Sequence, residues 1–349
     1  MAALAPRSRD ILDAVVRLNV ETGRPVSSGL VERSLNRDLS SATIRNEMKT
    51  LEQAGYLQQP HPSAGRLPTD RGFRSFVDRL QAGWTLRPPA IPAGLRRIAE
   101  QEVPAGVEGA ERIKGLARLL SRLTDNIGII VGPSWDEVRA VQVDVIPRTA
   151  RRALIVVILD NTRVRSGSVE LAEPTAPAVI EQAAAILTER IAGRTVAEIR
   201  AGQWDQPDLM RTPASRCATN LARAGRELFA DLEDGDLELE GIANVLDEPE
   251  FREPEPLKEL LRFIESPRTI RSSLGRLEAG EGSFGVWIGS ENPVGGLRRF
   301  SVLAGGFELD GRPGRLAILG PRRMAYQRAL QSLELVRRLV GTTHSAEIR

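Results

Sequence analysis

The segment from residue 39 to residue 74 constrains the fold more than any other part of the chain. It combines a capped amphipathic helix, a turn-rich hairpin and a second helix in that order. Ser40 can cap the first helix at its N-terminus. The apolar residues that follow at the spacing of one helical stripe are Ile44, Met48 and Leu51. This order is typical of a winged helix-turn-helix, so binding to double-stranded DNA is the leading hypothesis.

The opposite stripe of this helix carries polar side chains of the kinds that recognise base edges. In a major groove, Asn pairs with adenine and Arg or Lys pairs with guanine. The candidate DNA-contacting residues on this helix are Ser41, Thr43, Arg45, Asn46, Lys49 and Thr50. Considered alone, the same pattern fits a capped, solvated surface helix equally well. The surrounding segments therefore have to support the DNA-binding interpretation.

Two earlier segments can form the scaffold of such a domain. Ser8 is predicted to cap a first helix, and Gly23 is predicted to end it in the left-handed conformation that favours glycine. Ser27 or Ser28 can cap a short second helix. With the helix that follows Ser40, these segments complete a three-helix core.

The residues after Gly55 predict the wing. Residues 56–59 favour a strand, and the proline and glycine residues of 60–65 favour a turn. Gly65 would allow close approach of the backbone to DNA. The candidate contacts from this loop to phosphates or a minor groove are His61, Ser63 and Arg66. Thr69 is predicted to cap the next helix.

The positive charge is concentrated in this N-terminal part. Residues 1–80 contain 12 Lys or Arg and 9 Asp or Glu, whereas the rest of the chain contains 36 and 37. An excess of three charges predicts weak, salt-sensitive affinity from one copy. We therefore expect a homodimer that presents two copies to the DNA.

These motifs resemble the HrcA family of bacterial heat-inducible transcription repressors. The resemblance rests on SSATIRNEM (40–48), LEQAGYL (51–57), QPHPSAGRLPTDRGFR (59–74), GIANVLDEPEF (241–251), IGSEN (288–292) and ILGPRRMAYQRAL (318–330). The chain departs from the usual family pattern at four positions. It carries Gly29 where the family tends to have a basic residue and Pro62 where it tends to have Thr. It also carries Phe307 in place of the more usual Tyr and Arg322 in place of the more usual Thr.

The resemblance implies an α+β multidomain protein in which a GAF-like domain is interrupted by an inserted dimerising domain. The expected divisions are a winged helix-turn-helix at 1–83, a linker at 84–100, a first GAF-like part at 101–170, the insertion at 171–240 and a second GAF-like part at 241–349. The resemblance further implies repression of class I heat-shock, or chaperone, operons through an inverted-repeat operator. It also implies that a chaperonin modulates the repressor and that heat stress relieves repression.

Periodicity predicts the elements of the larger domain. The expected strands are 127–131, 138–145, 153–159, 284–289, 300–303 and 315–319, and the expected helices are 109–123, 174–193, 215–232 and 321–339. Strands interrupted by helices and then resumed indicate one domain with an insertion, although the sequence alone does not establish which strands pair.

Enzyme chemistry finds little support in the sequence. His61 and His344 are the two histidines, one in the predicted wing and one in a polar tail, which argues against a His-centred triad or a multi-His zinc site. Cys217 is the one cysteine, so neither an internal disulfide nor a thiolate metal cluster can form. Asp247, Glu248 and Glu250 could serve metal or acid-base chemistry, but beside a proline they fit a solvated helix end better.

We expect no cofactor, and we expect a cytoplasmic location because the N-terminus lacks the apolar core of a signal peptide and the longest apolar run is far short of a membrane span.

The alternative function is a GAF-type small-molecule sensor, or a protein-interaction module, in which DNA binding is secondary. The polar residues that could line a ligand pocket are Glu291, Asn292, Arg298, Arg299 and Arg322. Hydrolysis by paired carboxylates stays open on sequence grounds, and a turnover assay on generic substrates would separate it from binding functions.

Overall fold

The computed structural model describes most of the chain, and its elements are numbered here in chain order. The described residues are 4–35, 39–86, 93–104, 107, 109–160, 164–202, 212–229, 235–246, 248–251, 254–277, 283–309 and 311–341. The helices are α1 Pro6–Thr22, α2 Ser28–Leu35, α3 Ser41–Gln53, α4 Asp70–Leu86, α5 Ala93–Glu102, α6 Gly109–Thr124, α7 Pro177–Ile191, α8 Val196–Arg200, α9 Pro213–Gly225, α10 Ile242–Leu246, α11 Pro254–Ile264, α12 Pro267–Arg276 and α13 Tyr326–Gly341. The strands are β1 Leu57–Gln58, β2 Leu67–Pro68, β3 Ile127–Val131, β4 Ala140–Thr149, β5 Arg152–Leu159, β6 Val164–Glu170, β7 Leu237–Glu240, β8 Gly285–Ile288, β9 Phe300–Leu309 and β10 Arg312–Pro321.

The chain forms two compact units, and the second is an insertion into the first. The first unit comprises the residues up to 131, 237–311 and those from 315 onward, and the second comprises 132–236 and 312–314. The division differs from the expected insertion at 171–240, because β4, β5 and β6 pair with one another and not with the sheet of the first unit. The expected first GAF-like part at 101–170 is therefore split at residue 132. Strand pairing joins residues distant in sequence, so periodicity alone could not place these strands.

The N-terminal module, as we call residues 4–86, consists of α1 to α4 and the short antiparallel pair β1 and β2. Ile44, Met48 and Leu51 are all buried in its core, as their spacing predicts. Gly23 ends α1 with a φ of 66° and donates its N–H to the Asn19 carbonyl, which confirms the predicted stop. The predicted cap at Ser8 is wrong, since Ala5 is the N-cap and proline occupies the first turn.

The remaining capping predictions for this module are confirmed. The Ser40 hydroxyl accepts from the Thr43 N–H at 3.3 Å, and the Ser27 hydroxyl accepts from the Leu30 N–H at 3.3 Å. The Thr69 hydroxyl accepts from the Gly72 N–H at the start of α4. Each bond satisfies a backbone donor that has no partner within its own helix. The predicted turn between α2 and α3 falls partly at residues 36–38, outside the described residues.

The rest of the first unit is a five-stranded sheet between two helical layers, which we call the sheet module. Its strand order is β7-β3-β10-β9-β8. The apolar stripes of α6 and α13 cover one face, and α11 and α12 cover the other. β3 is apolar along its length because side chains on both of its faces are buried. The helices α10 to α12 and the strand β7 were not predicted from periodicity.

The second unit packs α7 and α9 against one face of the antiparallel sheet β4-β5-β6. Alternate residues of β5 separate the two faces: Ala153, Ile155, Val157 and Leu159 are buried against the helices, while Leu154, Val156 and Ile158 lie half-buried on the outer face. Cys217 of α9 belongs to the buried core, as expected for a small apolar side chain. Burial, followed by the charge of Glu173, raises the pKa of its thiol.

Residues 84–100, expected to be a linker, contain two helical segments. α4 continues to Leu86 and α5 begins at Ala93, while the prolines on which the linker prediction rested lie outside the described residues. None of the helices in the described ranges combines the length and the apolar character needed to cross a membrane.

Candidate nucleic-acid interface

The outer face of α3 is exposed along its length. Its solvent-facing residues are Ala42, Arg45, Asn46, Lys49, Thr50 and Gln53. The face is held in place from behind, because Ile44 and Met48 are completely buried in the core of the N-terminal module. Four of the six candidate contact residues of this helix therefore lie together on one exposed surface.

Ser41 and Thr43, the other two candidates on α3, are half-buried at its start. The Ser41 hydroxyl lies 2.9 Å from the Ser28 hydroxyl of α2, and the Thr43 hydroxyl lies 3.0 Å from that of Ser40. These bonds join α2 to α3 and order the first turn. Their hydroxyl groups are thus used inside the protein, and their direct role toward DNA stays a prediction.

The two acidic residues of α3 are both paired with arginines from outside the helix. Glu47 accepts from the Arg7 guanidinium and, at 2.9 Å, from the Ser8 hydroxyl. The hydrogen bonds from Arg7 and Ser8 lower the pKa of Glu47, against the smaller opposing effect of burial. Glu52 pairs with Arg66 at 3.0 Å. With both carboxylates neutralised, the positive charges of the outer face are left to attract an anionic partner.

The loop between β1 and β2 is exposed at its tip and tied at its base. His61 and Ser63 are exposed. The Gln59 side-chain amide donates to the carbonyls of Pro62 and Ala64, both at 2.9 Å, which holds the turn together. Two of the three predicted wing contacts are therefore accessible to a ligand.

Arg66, the third predicted wing contact, is placed differently. Its side chain is only 12% exposed and pairs with Glu52, while its backbone exchanges two 2.8 Å hydrogen bonds with Val26. Arg66 thus ties the loop to α3 and is not presented to solvent as a free cation. Packing within the protein also accounts for the glycine at position 65, because a Cβ on Gly65 would lie 2.4 Å from the Val26 backbone. The close approach that glycine permits is to the protein itself.

The polar residues predicted to line a ligand pocket do not converge on one. Asn292 is buried, and its amide donates to the carbonyls of Gly289, Leu297 and Phe300. Glu291 and Arg322 face the N-terminal module. The remaining residues of that set are Arg298, which follows a 3-10 turn, and Arg299, which pairs with Glu259 at 3.6 Å.

A cavity of about 660 Å³ does exist elsewhere in the first unit, between α1, α4, α5 and the start of α13. Its lining is mainly apolar and includes Val16, Val20, Phe76, Leu95, Ile98 and Met324. Arg17 and Glu21 also contribute to it. None of the residues predicted for a sensor pocket lines this cavity.

Metal-binding chemistry has no visible site in the described part of the chain, where no three His, Cys, Asp or Glu side chains are grouped suitably. Glu248 and Glu250 both pair with Arg323, so these carboxylates have a structural use. Asp247 and His344 lie outside the described residues.

Sequence reasoning missed the residues that join the N-terminal module to the sheet module. Asp70 bonds to Ser290 and Arg322, and Arg74 bonds to Glu291. Pairs more than 200 positions apart leave no periodic signal. One sequence signal was present, because both residues of each pair lie in segments that resemble the same family.

Comparison with known proteins agrees with this resemblance over nearly the whole chain. Residues 110–330 match the family model described as the HrcA protein C-terminal domain. Similar proteins named heat-inducible transcription repressor HrcA occur in Moorella thermoacetica, at 31% identity over 95% of both chains, and in Symbiobacterium thermophilum, at 32% identity over 95% of this chain and 96% of the relative. A solved structure described only as a hypothetical protein has a TM-score of 0.71 and 26% identity, covering 97% of this chain and 98% of that one.

Proposed function

The chain belongs to the HrcA family of heat-inducible transcription repressors, and from this premise we propose that it is a DNA-binding repressor of class I heat-shock, or chaperone, operons. The named relatives are transcription repressors and not enzymes, in agreement with the expectation from the sequence. In this proposal the protein acts by occupying an inverted-repeat operator, without chemistry.

The observation that carries the proposal is the geometry of α3. A helix with a completely buried apolar stripe presents Arg45, Asn46 and Lys49 to solvent on its opposite face. Asn can form a bidentate pair with adenine, and Arg or Lys can pair with guanine, in the major groove. We therefore propose that the N-terminal module is a winged helix-turn-helix, with α3 as its recognition helix and the β1-β2 loop as its wing.

We assign base recognition and backbone contact to different residues. Arg45, Asn46, Lys49 and Thr50 are the proposed base contacts, while His61 and Ser63 would approach phosphates or a minor groove. Ser41 and Thr43 would act at the start of α3, where N–H groups and the helix dipole favour a phosphate. Arg66 supports the wing from inside the protein.

We further propose that the protein is a homodimer formed through the second unit. On the outer face of the β4-β5-β6 sheet, Leu154, Val156 and Ile158 follow one another along β5, with Ile146 (46% exposed) and Val164 (54% exposed) on the neighbouring strands. The strand register places polar residues on the same face, namely Gln142, Asp144, Ser166 and Ser168. An exposed row of apolar side chains flanked by polar ones fits burial against a second copy. A two-fold dimer would place its recognition helices in major grooves about 34 to 36 Å apart, or at multiples of that distance.

Heat control follows from the family premise. We propose that the dimer competent for DNA binding depends on a chaperonin, so that unfolded proteins relieve repression by occupying the chaperonin. A change of a few kcal/mol is enough to depopulate a marginally stable active form. If heated and cooled protein regains operator binding only when chaperonin is added, the mechanism is supported; full recovery without chaperonin contradicts it.

Fluorescence anisotropy tests the proposed DNA binding. The full-length protein is titrated against a duplex carrying the inverted repeat from upstream of a chaperone operon, and against a scrambled duplex, at two salt concentrations. We expect the inverted repeat to bind about 10³-fold more tightly, with both affinities falling as salt rises. Equal affinity for the two duplexes would contradict the proposal.

The second candidate function is a small-molecule sensor, which the 660 Å³ cavity favours. Its volume is in the range of sites for small organic ligands, and its walls are mainly apolar. Calorimetric titration with nucleotides and common metabolites, in wild type and in a Val20→Trp variant that would fill the cavity, tests this function. Binding that the variant abolishes would support a sensor.

A further inference from the structure

The start of α4 is bonded to the sheet module through both carboxylate oxygens of one aspartate. Asp70 accepts at Oδ2 from the Ser290 backbone N–H and hydroxyl, each at 3.0 Å, and at Oδ1 from the Arg322 guanidinium at 3.1 Å. Gly289 has a φ of +54°, and a Cβ there would lie 2.3 Å from Asp70. The turn before Ser290 therefore needs glycine to approach this carboxylate.

One turn later, Arg74 makes a two-point contact with the same turn. Its Nε donates to Glu291 Oε1 at 2.9 Å, and its Nη2 donates to the other Glu291 oxygen and to the Val286 carbonyl. Glu291 is itself oriented by the Ile288 N–H at 2.9 Å. Burial alone would lower the pKa of Arg74, but the hydrogen bond and charge of Glu291 raise it above its ordinary value. A bidentate pair of this type fixes direction as well as distance.

These contacts determine the orientation of α3, because α4 is also joined to the end of α3. The Thr69 hydroxyl donates to the Gly55 carbonyl at 2.7 Å, and Arg71 donates to the Ala54 carbonyl at 2.7 Å. The aromatic rings of Phe73 and Tyr326 pack beside the polar contacts, with centroids 6.0 Å apart. Hydrogen bonds thus connect the sheet module through α4 to the C-terminal end of α3.

A second contact supports the other end of the N-terminal module. Arg323 is held by Glu248 and Glu250, and its guanidinium lies 3.2 Å from where a Cβ on Gly23 would be. The three C-terminal segments of the family resemblance, 241–251, 288–292 and 318–330, therefore all contribute residues at the surface facing the N-terminal module. This common location gives those segments a shared role.

We call the contact that joins α4 to the sheet module the α4 clasp. Its residues are Asp70, Arg74, Ser290, Glu291 and Arg322. We propose that the five side chains of the α4 clasp are positioning residues. By joining α4 to the sheet module, they make DNA binding selective for one spacing between the two operator half-sites. The inference rests on the proposed repressor function. A recognition helix on a loose tether tolerates many spacings, whereas one bonded through α4 to the sheet module has less freedom to reach a half-site at another spacing or helical phase.

The test measures affinity across a series of inverted repeats whose half-sites are moved apart or together by one, two and five base pairs, together with a duplex carrying one half-site. Five base pairs rotate the second half-site by about half a turn. The variants are Glu291→Gln and Arg322→Gln, which remove clasp bonds without changing the N-terminal module. Arg322→Lys keeps the positive charge opposite Asp70, and Arg299→Gln is the matched control, since it breaks an ion pair outside the clasp.

Wild type and Arg299→Gln are expected to lose about tenfold or more in affinity when the spacing departs from its optimum. In Glu291→Gln and Arg322→Gln we expect the loss to shrink to about threefold or less, while affinity for the single half-site stays unchanged. Arg322→Lys should keep most of the selectivity. Because Arg322 is 50% exposed, removing its charge should leave the fold intact.

An unchanged spacing profile in both Gln variants would overturn the inference, and so would an equal loss of single half-site affinity, which would indicate direct contact or misfolding. Failure of the proposed function looks different. In that case wild type itself would show no preference for the inverted repeat over scrambled DNA at any spacing.

Discussion

Two exposed surfaces belong to elements whose opposite side is buried in a core. They are the outer face of α3 and the outer face of the β4-β5-β6 sheet. Their chemistry differs. α3 presents Arg45, Asn46 and Lys49, whereas the sheet presents Ile146 and Val164 among other apolar side chains. The first surface suits a hydrated, charged polymer that is read by hydrogen bonds, and the second suits a partner that excludes water. Exposed faces of similar construction can therefore be assigned to different classes of partner by their chemistry.

The largest expected effect comes from placing a charge on the apolar sheet face. Ile146→Asp should shift the protein to monomer at micromolar concentration, because a carboxylate would have to be desolvated in the interface. Operator affinity should then fall by about 10²-fold or more as the second recognition helix is lost. Analytical ultracentrifugation and anisotropy measure the two effects.

Leu261→Asp is the matched control for this change, since Leu261 is a partly exposed apolar residue of α11, outside that face. It should remain dimeric. If Ile146→Asp stays dimeric and binds the operator normally, the assignment of the sheet face to a second copy is wrong.

The next effect concerns base recognition on α3. Asn46→Ala and Arg45→Ala should each cost about 1 to 3 kcal/mol in operator binding and reduce discrimination against scrambled DNA. Arg268→Ala, which removes an exposed charge from α12, should leave discrimination unchanged. Should Asn46→Ala discriminate as well as wild type, the proposed recognition face would have to be abandoned, although the domain assignment could stand.

A smaller and less selective effect is expected at Arg66. Arg66→Ala would free the wing from α3 and leave Glu52 unpaired near the DNA phosphates, so binding to all sequences should weaken alike by about 1 kcal/mol. Adding Glu52→Gln should restore part of that loss by removing the repulsion. If the double variant is no better than the single one, direct contact of Arg66 with DNA is the better explanation.

The smallest effect is a gain. Gly29 lies in α2 where family members tend to carry a basic residue, and nothing lies within 4 Å of a Cβ added there. Gly29→Lys should add one phosphate contact and steepen the salt dependence of binding by about one unit of log–log slope. Gly29→Gln, of similar length but uncharged, should not change the slope. A slope that Gly29→Lys also leaves unaltered would place α2 away from the DNA backbone.

The sequence predicted the features that depend on local chemistry. The cap at Ser40, the buried stripe of α3 and the left-handed stop at Gly23 are each decided within a few residues, and the structure confirms all three. Most strands of the sheet module were also located, because buried strands carry long apolar runs.

The features that depend on distant partners were not predictable from one sequence. β5 was expected in the main sheet but pairs with β4 and β6, since apolar alternation defines a strand and not its neighbour. Arg66 looked like a free cation because its partner, Glu52, lies on the preceding helix. Arg74 and Glu291 are 217 positions apart, and only the folded chain brings them together.

Operators in which single adenines or guanines are replaced by 7-deaza analogues test whether α3 recognises base edges in a major groove. These analogues lack the N7 acceptor of the major groove. Wild type should lose about 1 to 3 kcal/mol at defined positions of each half-site, and Asn46→Ala should be insensitive at one of them. Unaltered affinity for every 7-deaza operator would show that α3 does not recognise base edges in the major groove.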